Sequence, residues 1–540
     1  MNLPRLSLLV LPLLLLLVSG LGLGCFSETN DDLTIVALLR GVSAAAPVEN
    51  LHLYFHGYAV VLSQLYSAYP LVPWYALTLY GLLYAATVLT FAVLEQVLRP
   101  QLSLGQRLIF LVLFFAVAWL EHGFWFNYVR VPLLLAGAGI LFAAQRAPAR
   151  WALLVGLLAF ALAWLIRPSA AVLGLIAALP GAWWLARRQA LPVVGGAVAW
   201  AMLGALWLNL TWTPEEARFR RLDVLKSNIN DYQLYHQQPR TSTDSLGLAE
   251  VRHWMLGDSS LVNAALFTRA APLDIPYFLQ QTAPEKLLVL LQQLGRDYFP
   301  VLLALLAVAY HVRRQPGLQY RHEFWFVQLA FAGLLLALGV VLKLPPRLAL
   351  PLLNFWLLAN LIYVGQQTRG ALGQVWGVLG VVLVLAAGPY AYKTWHRRTM
   401  LGQERRTNEA LRRELLRPAG VAGLLVSDAV ELTYKSSSPF ADPVFGSPVQ
   451  VLSLMGWQTL DPSQPVFRQQ LTGTRNFSLA LRQLATRANV SWMLTEQGAG
   501  LLNRHLQLAD STASASLKFM PKPLQTSQVS EVMEYVVKVK

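Results

Sequence analysis

Long stretches of uncharged, apolar residues recur along this chain, and no other feature limits its fold as strongly. About eleven runs reach spanning length, near residues 6–26, 75–95, 107–121, 128–145, 150–166, 169–187, 192–210, 286–311, 323–342, 347–365 and 371–392. About 20 such residues in a helix cross a hydrocarbon core roughly 30 Å thick. Lipid offers no hydrogen bonds to the backbone, so each segment must satisfy its own, which selects the α-helix. The chain is 56% hydrophobic and 13% charged, as expected of a multi-pass α-helical membrane protein. An odd number of spans leaves the two termini on opposite sides.

The net charge of +15 does not point to nucleic acid, because the basic residues fall in short groups between apolar runs and form no single patch. They report orientation instead. With the N-terminus in the cytoplasm, inner segments carry Arg5, Arg99, Arg107, Arg146, Arg150, Arg187, Arg188, Arg313, Arg314, Arg321 and Arg369. Outer ones carry Arg40, Arg130, Arg167, Lys343 and Arg347, if the long loop and the tail are left out. The bias of about two to one favours N-in, C-out in an inner (cytoplasmic) membrane. Cys25 is the single cysteine, so no intramolecular disulfide forms. It follows Leu23-Gly24 as in a lipoprotein cleavage site, but Gly22 stands where a larger aliphatic is usual, and an uncleaved first span is expected.

Where the first apolar run stops, Glu28-Thr29-Asn30-Asp31-Asp32 places three carboxylates together. Acidic groups at the mouth of a span are costly near lipid and mark a candidate functional site. The competing reading is that Asn30 or Asp31 caps the next helix. Between the first two spans, 32–41 and 51–69 read as amphipathic helices lying at the interface, with Tyr54, Phe55, Tyr58, Tyr66, Tyr69, Trp74 and Tyr75 as an aromatic belt. The expected organisation is a transmembrane domain over 1–395, with outer loops 27–74 and 211–285, and a soluble extracytoplasmic α/β domain over 396–540. In that tail 421–426, 449–454, 490–494 and 535–540 read as strands, and 477–488 and 498–508 as helices.

One span, an outer acidic motif, two surface helices and many further spans resemble the C-superfamily of glycosyltransferases (GT-C), which take sugars from polyprenyl-phosphate donors. The motifs similar to poorly characterised bacterial members are Asn30-Asp31-Asp32, Asn50-Leu51-His52-Leu53 and the stretch Tyr69-Pro70 to Trp74-Tyr75. The likeness in architecture covers 1–395, with its sharp motifs within 28–75. It implies a membrane-bound, inverting transfer of a hexose or pentose from a polyprenyl-phosphate to a glycan, lipid or protein acceptor on the outer face.

Such a transfer needs a general base for the incoming hydroxyl and positive charge for the departing phosphate. Asp31 or Asp32 is the expected base, with Glu28 as helper or positioning group. Arg167, Lys343 and Arg347 are outer-side exceptions to the inside-positive rule and are candidate phosphate ligands. Their competing role is snorkelling to lipid headgroups. His52 and His56, four apart, are expected on one helical face, binding sugar, carboxylate or phosphate. No ligand set with metal spacing accompanies them, and the need for magnesium or manganese stays open. Asp231 and Tyr232 in the long outer loop are candidate sugar contacts. Two other readings remain, a lipid-linked glycan polymerase or ligase and a lipid or sugar flippase, although no internal repeat favours transport.

Overall fold

The computed structural model describes residues 3–367, 369–444, 446, 448–509, 517–521 and 532–539. The expected tail strand 535–540 therefore ends, at Lys540, outside the described residues. The chain divides into two compact units. The first takes Met1–Glu28, Ala76–Thr211 and Glu285–Leu401, and the second Thr29–Tyr75, Trp212–Pro284 and Gly402–Lys540. Residues 29–75 and 212–284 thus belong to the same unit as the tail.

The first unit is helical. Among the described residues six helices are long and apolar enough to cross a membrane: Trp74–Leu98, Leu104–Phe124, Pro168–Thr211, Arg321–Val341, Pro346–Gly365 and Val375–Pro418. That is fewer than the eleven expected: the first run forms only a shorter apolar helix, Leu8–Leu23, and local geometry accounts for the rest. The runs at 128–145 and 150–166 form Arg130–Gln145 and Arg150–Ile166, of 16 and 17 residues. At 1.5 Å per residue these are roughly 24–26 Å long. The runs at 169–187 and 192–210 join through a single helical turn at Arg187–Ala190 into one stretch of 44 residues. The run at 286–311 breaks at Tyr298 into Ala283–Asp297 and Phe299–Arg314. The last run continues without interruption into a 54-residue helix, Arg369–Ala422.

Helix Arg130–Gln145 lies at the centre of this unit, with every residue from Arg130 to Ala144 buried. It packs against Arg150–Ile166 and Pro168–Ala186. Glycines allow this closeness: a Cβ on Gly139 would stand 2.7 Å from the Ala159 methyl, and one on Gly156 would stand 2.8 Å from the Gly139 carbonyl oxygen. Small residues at such crossings are how helices associate where lipid removes the hydrophobic drive. The outward faces expose Leu154, Leu158, Met202, Leu203, Leu329 and Leu385, a surface suited to acyl chains.

A two-residue parallel bridge positions the acidic motif. Strand β1 (Phe26–Ser27) pairs with β2 (Trp125–Phe126), and the Glu28 N–H donates to the Phe126 carbonyl at 3.0 Å. Phe26 and Phe124 pack with ring centres 5.2 Å apart.

The second unit is built on a five-stranded sheet in the order β4-β3-β5-β7-β6: β3 (Leu424–Ser427), β4 (Gln450–Ser453), β5 (Val490–Thr495), β6 (Leu517–Pro521) and β7 (Val532–Val539). β3 is parallel to β4 and β5, while β7 is antiparallel to β5 and β6. Helices Phe477–Ala485 and Glu496–Ala509 fall where expected. Strand β6 and helix Ser463–Thr472 were not anticipated.

Two expectations for 29–75 need correction. The helix Asp31–Leu39 is buried from Asp32 through Leu39 instead of lying half-wet at an interface. Its Leu33 joins a core with Leu415, Leu425 and Val451. The 51–69 segment is helical only over Tyr58–Ala68. Its first part is held open by left-handed backbone at His52 (φ 57°), Phe55 (φ 56°) and Gly57 (φ 77°).

Candidate functional site

Both carboxylate oxygens of Glu28 are engaged. Its Oε2 lies 2.7 Å from Arg130 Nη2, and its Oε1 accepts the Arg347 backbone N–H at 3.2 Å with Arg347 Nη1 at 3.7 Å. Pro345 and Pro346 lead into the helix Pro346–Gly365, so that Arg347 N–H is one of the helix's first unpaired donors. A carboxylate there satisfies the donor and complements the helix dipole. Arg130 is fully buried, and its Nη1 also meets His122 Nδ1 at 3.1 Å. His122 Nε2 in turn lies 2.7 Å from the Asn354 amide. Arg130 looks structural from its place at a span entry, but it is the first partner of Glu28.

Arg167 ends the helix Arg150–Ile166 and donates to the Tyr128 hydroxyl at 2.6 Å, its guanidinium carbon 5.2 Å from that ring's centre. Tyr128 stands two residues before Arg130, so the β2 turn gathers cationic groups from three helix ends. Two arginines share one carboxylate, which leaves positive charge in excess at Glu28. Lys343 is exposed in the turn before Pro346, beside a Leu342 carbonyl that accepts from Lys286 Nζ at 2.6 Å.

Asp31 and Asp32 open the helix Asp31–Leu39 in the second unit. Neither caps it: Asn30 occupies the cap, and its side chain makes no capping bond. Asp32 is 1% exposed and accepts from the Tyr75 hydroxyl at 2.8 Å. Asp31 is half-buried, with Oδ2 accepting from the Thr29 hydroxyl at 3.2 Å. One carboxylate is thus packed and the other accessible.

His52 and His56 do not share a helix face, because 52–57 is not helical. His52 Nδ1 lies 2.7 Å from Glu216 Oε1, whose carboxylate also accepts from Asn50 at 3.2 Å. His56 is buried, and burial, with help from His52 and Arg220, pushes it down to about 4. Asp461 is fully buried in the same unit, one oxygen without a hydrogen-bond partner among the described residues, and burial raises it while His52 opposes. Asp231 and Tyr232 follow the far end of the helix Pro214–Asn230, fifteen residues beyond Glu216. At 1.5 Å per residue that is roughly 22 Å, so they form no site with His52. Among the described residues no group of three or more His, Cys, Asp and Glu is placed to hold a metal ion.

A further cluster was not seen in the sequence. His505 lies with Nδ1 2.7 Å from Glu250 Oε1, Nε2 3.0 Å from Asp258 Oδ2, and Nε2 2.8 Å from Ser478 Oγ. Ser478, His505 and Glu250 have the spacing of a hydrolytic triad, but Asp258 sits on the nitrogen that would need to act as base. Burial opposes charge on His505, yet the bonds and charges of Asp258 and Glu250 outweigh it and push the imidazole up to about 9. A protonated ring takes no proton from Ser478. The cluster is an ionic staple.

Comparison with family models, curated proteins and solved structures finds no match to this chain.

Proposed function

We propose that this protein is a GT-C-type glycosyltransferase that moves a sugar from a polyprenyl-phosphate to an acceptor on the outer face of a membrane. The observation that carries the reading is the arrangement at Glu28: one buried carboxylate, two arginines, and a third guanidinium at Tyr128. Glu28 orients Arg130 and Arg347, and the surplus positive charge suits a departing lipid phosphate. A guanidinium fork also grips phosphate bidentately, which a lysine does not.

In this reading Asp31 is the base. Asp32 is spoken for by Tyr75 and is buried, whereas Asp31 keeps one oxygen clear of the Thr29 hydroxyl. An acceptor hydroxyl losing its proton to Asp31 can attack the anomeric carbon as the carbon–phosphate oxygen bond breaks. The phosphate leaves with the electron pair, and the sugar inverts. An N-terminus on the inner side and an outward-facing tail unit draw on the basic residues of the inner segments.

The test is turnover of a panel of polyprenyl-phosphate sugars by purified wild type, Asp31→Asn and Asp32→Asn. Loss of transfer in Asp31→Asn with donor still bound is the expected outcome. Equal turnover by all three variants removes Asp31 and Asp32 as base. Absence of any donor binding moves transport ahead of transfer.

A further inference from the structure

The helix Asp31–Leu39 begins at the acidic motif and ends at Arg40, and beside Arg40 the second unit holds a cavity of about 180 Å³. Its walls come from Val42, Pro47, Pro70, Val444, Gly446 and the Tyr66 ring, and its polar side chains include the Arg40 guanidinium and Ser67. Ser67 and Pro70 are exposed, so the cavity opens to solvent on their side.

Arg40 is held in place, not free to wander. Its Nη1 donates to Asp442 Oδ1 at 2.8 Å, and its guanidinium carbon stands 6.0 Å from the Tyr66 ring centre. Asp442 is fixed in turn by the backbone N–H groups of Val444 at 3.0 Å and Gly446 at 2.9 Å. Tyr66 is positioned by the Tyr75 N–H at 3.1 Å, and the Tyr75 hydroxyl reaches Asp32 at 2.8 Å. Arg40 spends one nitrogen on Asp442, and the rest of its donor edge has no other hydrogen-bond partner among the described residues.

We infer that this cavity is a subsite for one hexuronate residue of the acceptor glycan. The inference rests on the glycosyltransferase reading for its placement, but its chemistry is local. A volume of about 180 Å³ falls below the ~300–1,000 Å³ of sites for drug-sized ligands and suits one sugar ring, not a chain. Proline, valine and tyrosine surfaces fit the C–H face of a pyranose. A guanidinium edge fits a carboxylate. Asp442, 2.8 Å from Arg40, neutralises part of the charge and repels a dianion, which favours a carboxylate over a phosphate. Nine helical residues separate Asp31 from Arg40, roughly 13 Å, the span of a few sugars.

The test uses full-length protein in detergent with free glucuronate, glucose and inorganic phosphate as probes, followed by saturation-transfer NMR and calorimetry, with no donor present. Glucuronate is expected to bind at least tenfold more tightly than glucose or phosphate. Arg40→Gln should lose tenfold or more, and Arg40→Lys less. Ser67→Tyr, which fills the mouth without touching the Arg40–Asp442 pair, should block binding while leaving the melting temperature unchanged. Asp31→Asn should bind glucuronate as wild type does. Equal binding of glucose and glucuronate, tighter binding of phosphate, no saturable binding, or full retention by Arg40→Gln or Ser67→Tyr each overturns the subsite. Donor turnover without uronate binding removes only this inference. Uronate binding without donor turnover removes only the enzymatic reading.

Discussion

The carboxylate of Glu28 meets the guanidinium of Arg130 at 2.7 Å across 102 residues of chain, and both side chains are buried. Removing one partner of such a pair strands the other charge away from water, at a cost of about 3–5 kcal/mol. Arg347 is more exposed and touches the same carboxylate mainly through its backbone N–H. The two arginines should therefore separate. Arg130→Gln is expected to lower the melting temperature in detergent by several degrees. Arg347→Gln should leave it within a degree or two and weaken donor binding tenfold or more. Equal melting temperatures for the two variants would show that Glu28 gains its stability elsewhere.

Asp31 and Asp32 should divide in the same manner. Asp32 accepts from Tyr75 inside a packed core, so Asp32→Ala leaves the buried Tyr75 hydroxyl without its acceptor and costs about 1–3 kcal/mol. Tyr75→Phe should cost a similar amount, and the double variant should cost less than the sum. Asp31→Asn should be neutral for stability and abolish transfer. Thermal unfolding and sugar turnover on the same four preparations check this, and a stability loss confined to Asp31 would reverse the assignment.

Much of the sheet was legible because its strands are apolar runs bounded by turn residues, as at Leu424–Ser427 and Val490–Thr495. Arg347 stood out in the sequence as a basic residue in a segment expected on the outside, and the structure sets it against Glu28. Arg130 did not, since its place at a span entry reads as structural and carries no sign of a carboxylate partner 102 residues away. The bridge that brings Glu28 to it is two residues long and has no periodicity to detect. Residues 51–57 misled because their apolar spacing is compatible with a helix, whereas the left-handed backbone at His52 and Phe55 depends on tertiary packing. Glu250 and His505 meet across 255 residues, and no local spacing encodes that.

His56 gives a prediction at acid pH. Its pKa falls from 6.5 to about 4 on folding, chiefly through burial. The unfolded chain therefore binds the extra proton between these values, and stability rises with pH across that window. Melting temperatures should climb from pH 4 to pH 6.5 by an amount worth up to about 3 kcal/mol. His56→Gln should lose that part of the slope. An unchanged slope in the variant would place the sensitivity between pH 4 and 6.5 on other groups; Asp258, held down at about 2 where the bonds of His505 and Ser260 outweigh burial, loses its contribution only below about pH 4.

His505 gives the opposite sign at alkaline pH. Burial opposes its charge, but Asp258 and Glu250 raise it from 6.5 to about 9 in the folded chain. The stability this contributes is fully present below 6.5 and is lost as pH rises through about 9. At neutral pH the staple joins Glu250 in the helix Ser242–Arg252, Asp258, and Ser478 in the helix Phe477–Ala485 to the helix Glu496–Ala509. Raising the pH from 7 to 10 should destabilise wild type by about 2–3 kcal/mol. The loss should appear first as faster amide exchange in Glu496–Ala509. His505→Gln should start lower at pH 7 and show little further decline. Ser478→Ala should keep the pH dependence, because the serine is a neighbour of the ion pairs and not a member of them. A variant lacking Ser478 that also lost the alkaline transition would make the hydroxyl, not the two carboxylates, the group that holds the proton on His505.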